Sequence, residues 1–336
     1  KKIDFFAYIA FILIYVLSFL QPQGIIVEYL SEKAFTVLVQ CAPLYLIGIC
    51  INDEAIVDQL HKMSIVSILA NVVFLFFVGS MWDSSEGYMS FSYYLLPHIC
   101  LVVLYALRYK KIEDTFASIL GIIILVFYGS RGPLVGIAAV FIVYYMVYKQ
   151  YRHKILGRVG AVMIIAIAYI ALIGIITFVT PTVSGFIFNT KFVDSIINSN
   201  FFFDNGRNDL QIIVWEDFLS SPFSVRGFAS VRGMLNSYHV MFSYSHNIFL
   251  DMLHDFGWII GGFEIINCLY LYFIGYFRAT KIKVKGLILA LLCSTAFLKL
   301  LVSGTYLLEP NFYLLLGVCV SCARTNNEMR RVKQYA

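Results

Sequence analysis

Apolar residues in this chain come in continuous blocks, not in alternation. Ten blocks predict ten helices, at roughly 5–20, 34–51, 63–79, 91–107, 115–129, 134–148, 159–179, 257–277, 286–303 and 311–323. A helix of about 17–25 apolar residues crosses the hydrocarbon layer. Backbone groups in lipid must be satisfied within the chain, so spanning segments are helices or a closed barrel. Barrel strands would alternate, and these blocks do not. The expected fold is all-α: a polytopic integral membrane protein forming a single domain over 1–336.

Between the seventh and eighth blocks the pattern changes. Residues 180–256 mix polar, aromatic, Gly and Pro positions, while every other connection is short. A loop this long is functional or disordered, and its content predicts order. "DNGRNDLQIIVWEDFL" begins with turn-forming Asp204, Asn205 and Gly206, then mixes apolar and acidic positions as an interfacial helix does. "SHNIFLDMLHDF" predicts a second helix, capped by Ser245. Its spacing puts His246, Phe249, Leu250 and Leu253 on an inward face, and Asp251, His254 and Asp255 on the opposite one.

Composition agrees with a membrane protein. The chain is 60% hydrophobic and 13% charged, against about 25% charged in soluble domains. Most of the 25 Lys and Arg fall in alternate short connections and at the two ends. The positive-inside rule then places both termini in the cytoplasm and the 180–256 loop outside. The net charge of +5 is mainly a topology signal, and no basic–aromatic patch points to nucleic acid. The first block lacks a small-residue cleavage site and is expected to be a retained anchor. All seven cysteines lie in expected spans, Cys319 and Cys322 included, where thiols pack as small hydrophobes.

The arginines outside that bias carry the candidate chemistry. Arg131, in "FYGSRGPLVG", sits in a tight turn between two spans, where an ionisable group is either functional or a snorkelling surface residue. Arg207 opens the first loop helix. Exposed N–H groups there favour anions, and a guanidinium binds phosphate bidentately; an ion pair with Asp204 or Asp209 is the alternative. Arg226 and Arg232, in "SVRGFASVRGM", either touch phosphate or are solvated. His246 is a base or hydrogen-bond donor near neutral pH, or else structural. His239 and His254 are expected to be structural or exposed. Lys299 and Glu309 are close enough in sequence to pair. His98, Glu264 and Asn71 are expected to face the bundle interior.

No P-loop, HExxH, GxSxG or Asp-x-Asp pair is present, so no metal or cofactor is expected. Outward arginines with a histidine fit a phosphate-bearing substrate whose leaving group arginine neutralises.

Three segments together, "GSRGPLVG", "GRNDLQIIVWEDFLSSPFSVRGF" and "SHNIFLDMLHDFGWIIGG", resemble the bacterial O-antigen polymerase and O-antigen ligase superfamily. That superfamily includes Wzy-type polymerases, capsule polymerases and lipopolysaccharide ligases. The resemblance implies a GT-C-like inverting glycosyltransferase of the bacterial cytoplasmic membrane, acting on undecaprenyl-diphosphate-linked glycan as donor and acceptor. It implies that Arg131 and Arg207 hold the diphosphate and that His246 activates the acceptor hydroxyl. Asn247 completes the His-Asn pair, and Glu309 is an alternative base. Members often read Asn-Pro-Leu-x-Gly-x-Gly where this chain has "SPFSVRGF", so backbone contacts there do not carry over. Repeat-unit polymerisation is the expected activity, with a chain-length regulator and a flippase as expected partners. The alternatives are ligation of glycan to lipid A core and, in another class, a flippase or transporter of lipid-linked sugars.

Overall fold

A computed structural model of the chain describes residues 2–21, 24–51, 54–78, 87–127, 131–147, 207–238, 240, 244–279, 283–301 and 303–335. Every regular element among them is helical. The expected span at 159–179 lies outside the described residues.

Among the described residues, four helices are long and apolar enough to cross a membrane: Gly24–Cys50, Ala55–Phe74, Phe91–Tyr109 and Ile248–Ala279. Phe5–Leu20 and Gly132–Phe141 are shorter apolar helices. The described chain falls into two compact units, Lys1–Asp53 with Asp204–Ala336, and Glu54–Phe203.

The discontinuous unit opens with α1 (Lys2–Leu17), extended by a 3-10 turn at Ser18–Leu20. Then α2 (Gly24–Phe35) continues through a π turn at Thr36–Cys41 into α3 (Ala42–Cys50). The apolar block placed the start of this span at 34, yet the helix starts ten residues earlier at Gly24. The added turns are amphipathic. Ile26, Tyr29 and Leu30 are buried while Glu28, Ser31 and Glu32 are exposed, and a half-polar face does not register as an apolar run.

The second unit holds α4 (Glu54–Val78), α5 (Gly87–Tyr109), α6 (Ile112–Phe127) and α7 (Arg131–Val147). Helices α4, α5 and α6 pack on one another, and α7 packs on α5. Two of the expected intramembrane polar groups are satisfied here. His98 Nδ1 lies 3.1 Å from Ser64 Oγ, and Asn71 donates to the Ser67 carbonyl at 2.9 Å. His61 stacks on the Tyr105 ring at 3.9 Å and contacts Asp114 at 2.8 Å.

The chain re-enters the first unit with α8 (Arg207–Ser220), α9 (Ser230–Ser237) and α10 (Ile248–Phe256). A π turn at Gly257–Gly261 joins α10 to α11 (Gly262–Ala279). There follow α12 (Lys283–Leu292), a π turn at Cys293–Phe297, α13 (Leu298–Leu300) and α14 (Pro310–Tyr335). Helix α14 packs against both α3 and α11. Bare backbone lets them approach: a Cβ at Gly317 would fall 2.1 Å from the Tyr45 carbonyl oxygen, and one at Gly48 would fall 2.5 Å from that of Leu314. Small residues serve this purpose where helices pack in lipid. Cys319 is buried against Gly275, and Cys322 is buried too.

Candidate functional site

The loop helices share a small core. Leu210 and Val214 of α8 pack with Val231, Met234 and Leu235 of α9 and Leu250 of α10. The four-residue spacing of Leu210, Val214 and Phe218 gives α8 its buried stripe. Ile212, Trp215 and Leu219 on its other faces are exposed. Trp215, Phe218 and Trp258 form an aromatic row, with centroids 5.3 and 5.7 Å apart. Tryptophans concentrate where membrane meets water.

The loop between α8 and α9 is tied on two sides. The Arg226 and Gly227 amides both donate to the Asp255 carbonyl at 2.8 Å, and the Trp258 amide donates to the Pro222 carbonyl at 2.7 Å. From α1, Gln21 Nε2 donates to the Phe228 carbonyl at 3.0 Å, and Ser18 Oγ accepts from the Phe228 amide at 3.1 Å. Gly227 is required: its φ is +84°, and a Cβ would meet Gln21 Nε2 at 2.7 Å.

His246 precedes α10 rather than lying in its first turn. It has φ +61°, is buried to 6% exposure, and sets its ring edge-on to Tyr244 at 4.5 Å. Clamps on either side hold this backbone. The Ser245 amide donates to Asp251 Oδ1 at 3.0 Å, and Ser245 Oγ bridges the carbonyl and amide of Asn247. Asn247 is the helix cap, its Oδ1 accepting from the Phe249 and Leu250 amides. This corrects the expectation that Ser245 caps the helix. A capping side chain must reach the second or third amide of the helix, and the kink at His246 turns Ser245 away from them. A non-glycine residue in the left-handed region is strained, and such residues cluster at functional sites.

A second polar constellation lies on the opposite face of α10. Asp251, His254 and Asp255 were expected to face outward, yet all three are buried. The α8–α9 segment supplies partners to His254 and Asp255, and the Ser245 amide supplies one to Asp251. Arg226 Nη1 reaches Asp217 Oδ2 and His254 Nε2, each at 2.5 Å. Its Nη2 donates to the Asp217 carbonyl and its Nε to Ser224 Oγ. His254 Nε2 also lies 2.9 Å from Asp217 Oδ2. His254 Nδ1 lies 2.6 Å from Ser230 Oγ, and the Ser230 hydroxyl donates to Asp255 Oδ1 at 2.7 Å. Tyr306 donates to Asp255 Oδ2 at 2.6 Å. Burial, and then the Asp255 carboxylate, hold the Tyr306 phenol well above its usual range, so it remains a donor.

Residues 116–263 match the family described as O-antigen ligase, Wzy_C. No curated protein and no solved structure matches the chain.

The matched segment contains Arg131, Arg207, Arg226, Arg232, His246 and Asn247. Arg131 is the first residue of α7, in the Glu54–Phe203 unit. Arg207 is half-buried at the start of α8, and Asp204 lies outside the described residues. Arg232 places its guanidinium 4.3 Å from the centre of the Tyr29 ring. Glu309 is buried and paired with Lys299. His239 lies outside the described residues. Among the described residues, no three His, Cys, Asp or Glu side chains gather as metal ligands would.

Sequence reasoning missed Asp217, Ser230, His254, Asp255 and Tyr306 as one network. A signal was available. Three ionisable residues at 251, 254 and 255 share one helical face just ahead of an apolar run, where charge left exposed to lipid would be costly.

Proposed function

We propose that this protein lengthens a lipid-linked glycan on the outer face of the bacterial cytoplasmic membrane, as a GT-C-like repeat-unit polymerase using undecaprenyl diphosphate as the leaving group. One observation supports the reading best. The O-antigen ligase match runs through Arg131, Arg207 and His246, and His246 is buried in a clamped, strained kink ahead of a capped helix. On this reading the acceptor hydroxyl oxygen attacks the anomeric carbon of the donor. The bond from that carbon to the diphosphate breaks with inversion. His246 takes the hydroxyl proton, and Arg131 and Arg207 neutralise the departing diphosphate. General-base help of this kind contributes about 10²–10⁴-fold, and one stabilising donor is worth about 2.7–4 kcal/mol. Glu309 is bound to Lys299 and is assigned to the fold rather than to the base.

Arg131→Ala, Arg207→Ala and His246→Ala are each expected to abolish chain lengthening at wild-type protein levels, read from glycan ladders on gels. Full activity in Arg207→Ala would remove that arginine from the mechanism. The family description itself favours a second reading, ligation to lipid A core. The acceptor separates them. Loss of long chains still attached to undecaprenyl diphosphate marks a polymerase, and their accumulation marks a ligase. The single large loop favours the polymerase.

A further inference from the structure

Beside the polar network lies a cleft of about 740 Å³, within the usual size of small-molecule sites. Its lining divides by chemistry. Its polar lining comprises Asp217, Arg226, Ser230, Ser237 and His254, with Gln21. Its apolar lining includes Ile14, Leu17 and Leu20 of the first helix and its turn, with Ile26, Val225 and Ile260. Leu17 and Leu20 are largely exposed, on a helix that reads as membrane-embedded. A ligand filling this space has a hydrocarbon part beside a hydrogen-bonding part.

The polar lining is wrong for phosphate. Arg226 is the one cation in the lining, and Asp217 pairs with it. Its Nε, Nη1 and Nη2 each already donate to a protein acceptor. The fork that grips phosphate is thereby engaged within the protein. The exposed remainder of the Asp217 carboxylate repels a second anion. What the lining does offer is a carboxylate acceptor, a guanidinium N–H, an amide and hydroxyls. That set matches a neutral sugar, each of whose hydroxyls both gives and takes a hydrogen bond.

We propose that this cleft binds a neutral glycosyl group carried on a lipid, and that Arg226 serves it as a sugar-reading residue and not as a diphosphate ligand. The assignment rests on the glycosyl-transfer reading above and adds a site separate from His246. The hydrocarbon part lies along Ile14, Leu17 and Leu20, and the sugar faces Asp217 and Ser237.

The test is binding without turnover. The full chain in nanodiscs is titrated with dodecyl glucoside and with dodecyl phosphate, which share a tail, and empty nanodiscs correct for partition. The glycoside is expected to bind at least about tenfold tighter, as a site built for hydroxyls discriminates. Ser237→Trp, which fills the cleft from outside the network, is expected to abolish glycoside binding at an unchanged melting temperature. Asp217→Asn, which frees Arg226, is expected to shift preference toward dodecyl phosphate. Equal or tighter phosphate binding by the wild type, no saturable glycoside binding, or unaltered binding in Ser237→Trp each overturns the proposal. His246→Gln separates the two readings: binding kept with transfer lost supports both, while binding kept with transfer unchanged removes His246 and leaves the cleft standing.

Discussion

At the residue scale, strain and reach decide the site. His246 was legible as a candidate because a polar pair ahead of an apolar helix is conspicuous. Its left-handed backbone was not, since that comes from clamps reaching it from Ser245, Asn247 and Asp251. A left-handed L-residue costs roughly 1–2 kcal/mol, and glycine escapes that cost. His246→Gly is therefore expected to keep or raise the melting temperature while losing transfer, whereas His246→Ala keeps the strain. A single mutant that unfolds would show the imidazole to be a packing element. Asn247→Ala removes the cap of α10 and should cost about 1 kcal/mol, within the 0.5–2 kcal/mol range for caps. Thermal unfolding in detergent measures it. His254 was expected to be structural or exposed, and the network around it escaped the sequence reading because its partners Asp217, Arg226 and Ser230 are far from it in the chain.

At the scale of elements, the apolar runs located α3, α5 and α11 well and their neighbours' ends poorly. Helices α2 and α4 begin before their apolar blocks because a helix ends where its hydrogen bonds end, not where its hydrophobicity does. Cys319 and Cys322 sit in a helix as expected of packed thiols, and Gly275 makes room for Cys319. The close contact between α3 and α14 had no sequence warning beyond the glycines themselves. Gly317→Ala forces a methyl into the Tyr45 carbonyl, and overpacking of this kind costs about 1–3 kcal/mol. Gly24→Ala, where a Cβ meets nothing within 4 Å, is the control. A lower melting temperature for the first and not for the second is the expected result.

For the whole molecule, an all-helical membrane architecture was readable from composition and pattern, but the division into units was not. Partition depends on which helices touch, and apolar faces that look alike in sequence do not say whom they meet. The first helix turns out to belong with the second half of the chain. Ser18 and Gln21 hold the loop that carries Arg226. Replacing both by Ala is expected to release that segment, seen as new protease cleavage within 221–229, and to lower transfer without reducing membrane insertion. Uncleaved loop with normal transfer would make the tether incidental.

One unit is assembled from the two ends of the chain, with Glu54–Phe203 emerging between them. A ribosome therefore delivers α1 to α3 long before α8 to α14 exist to receive them. Until then the groove-lining side of α1 and the bare glycine face of α3 stand in the bilayer without their mates. Any nascent chain halted before α14 would leave the face of α3 around Gly48 uncovered.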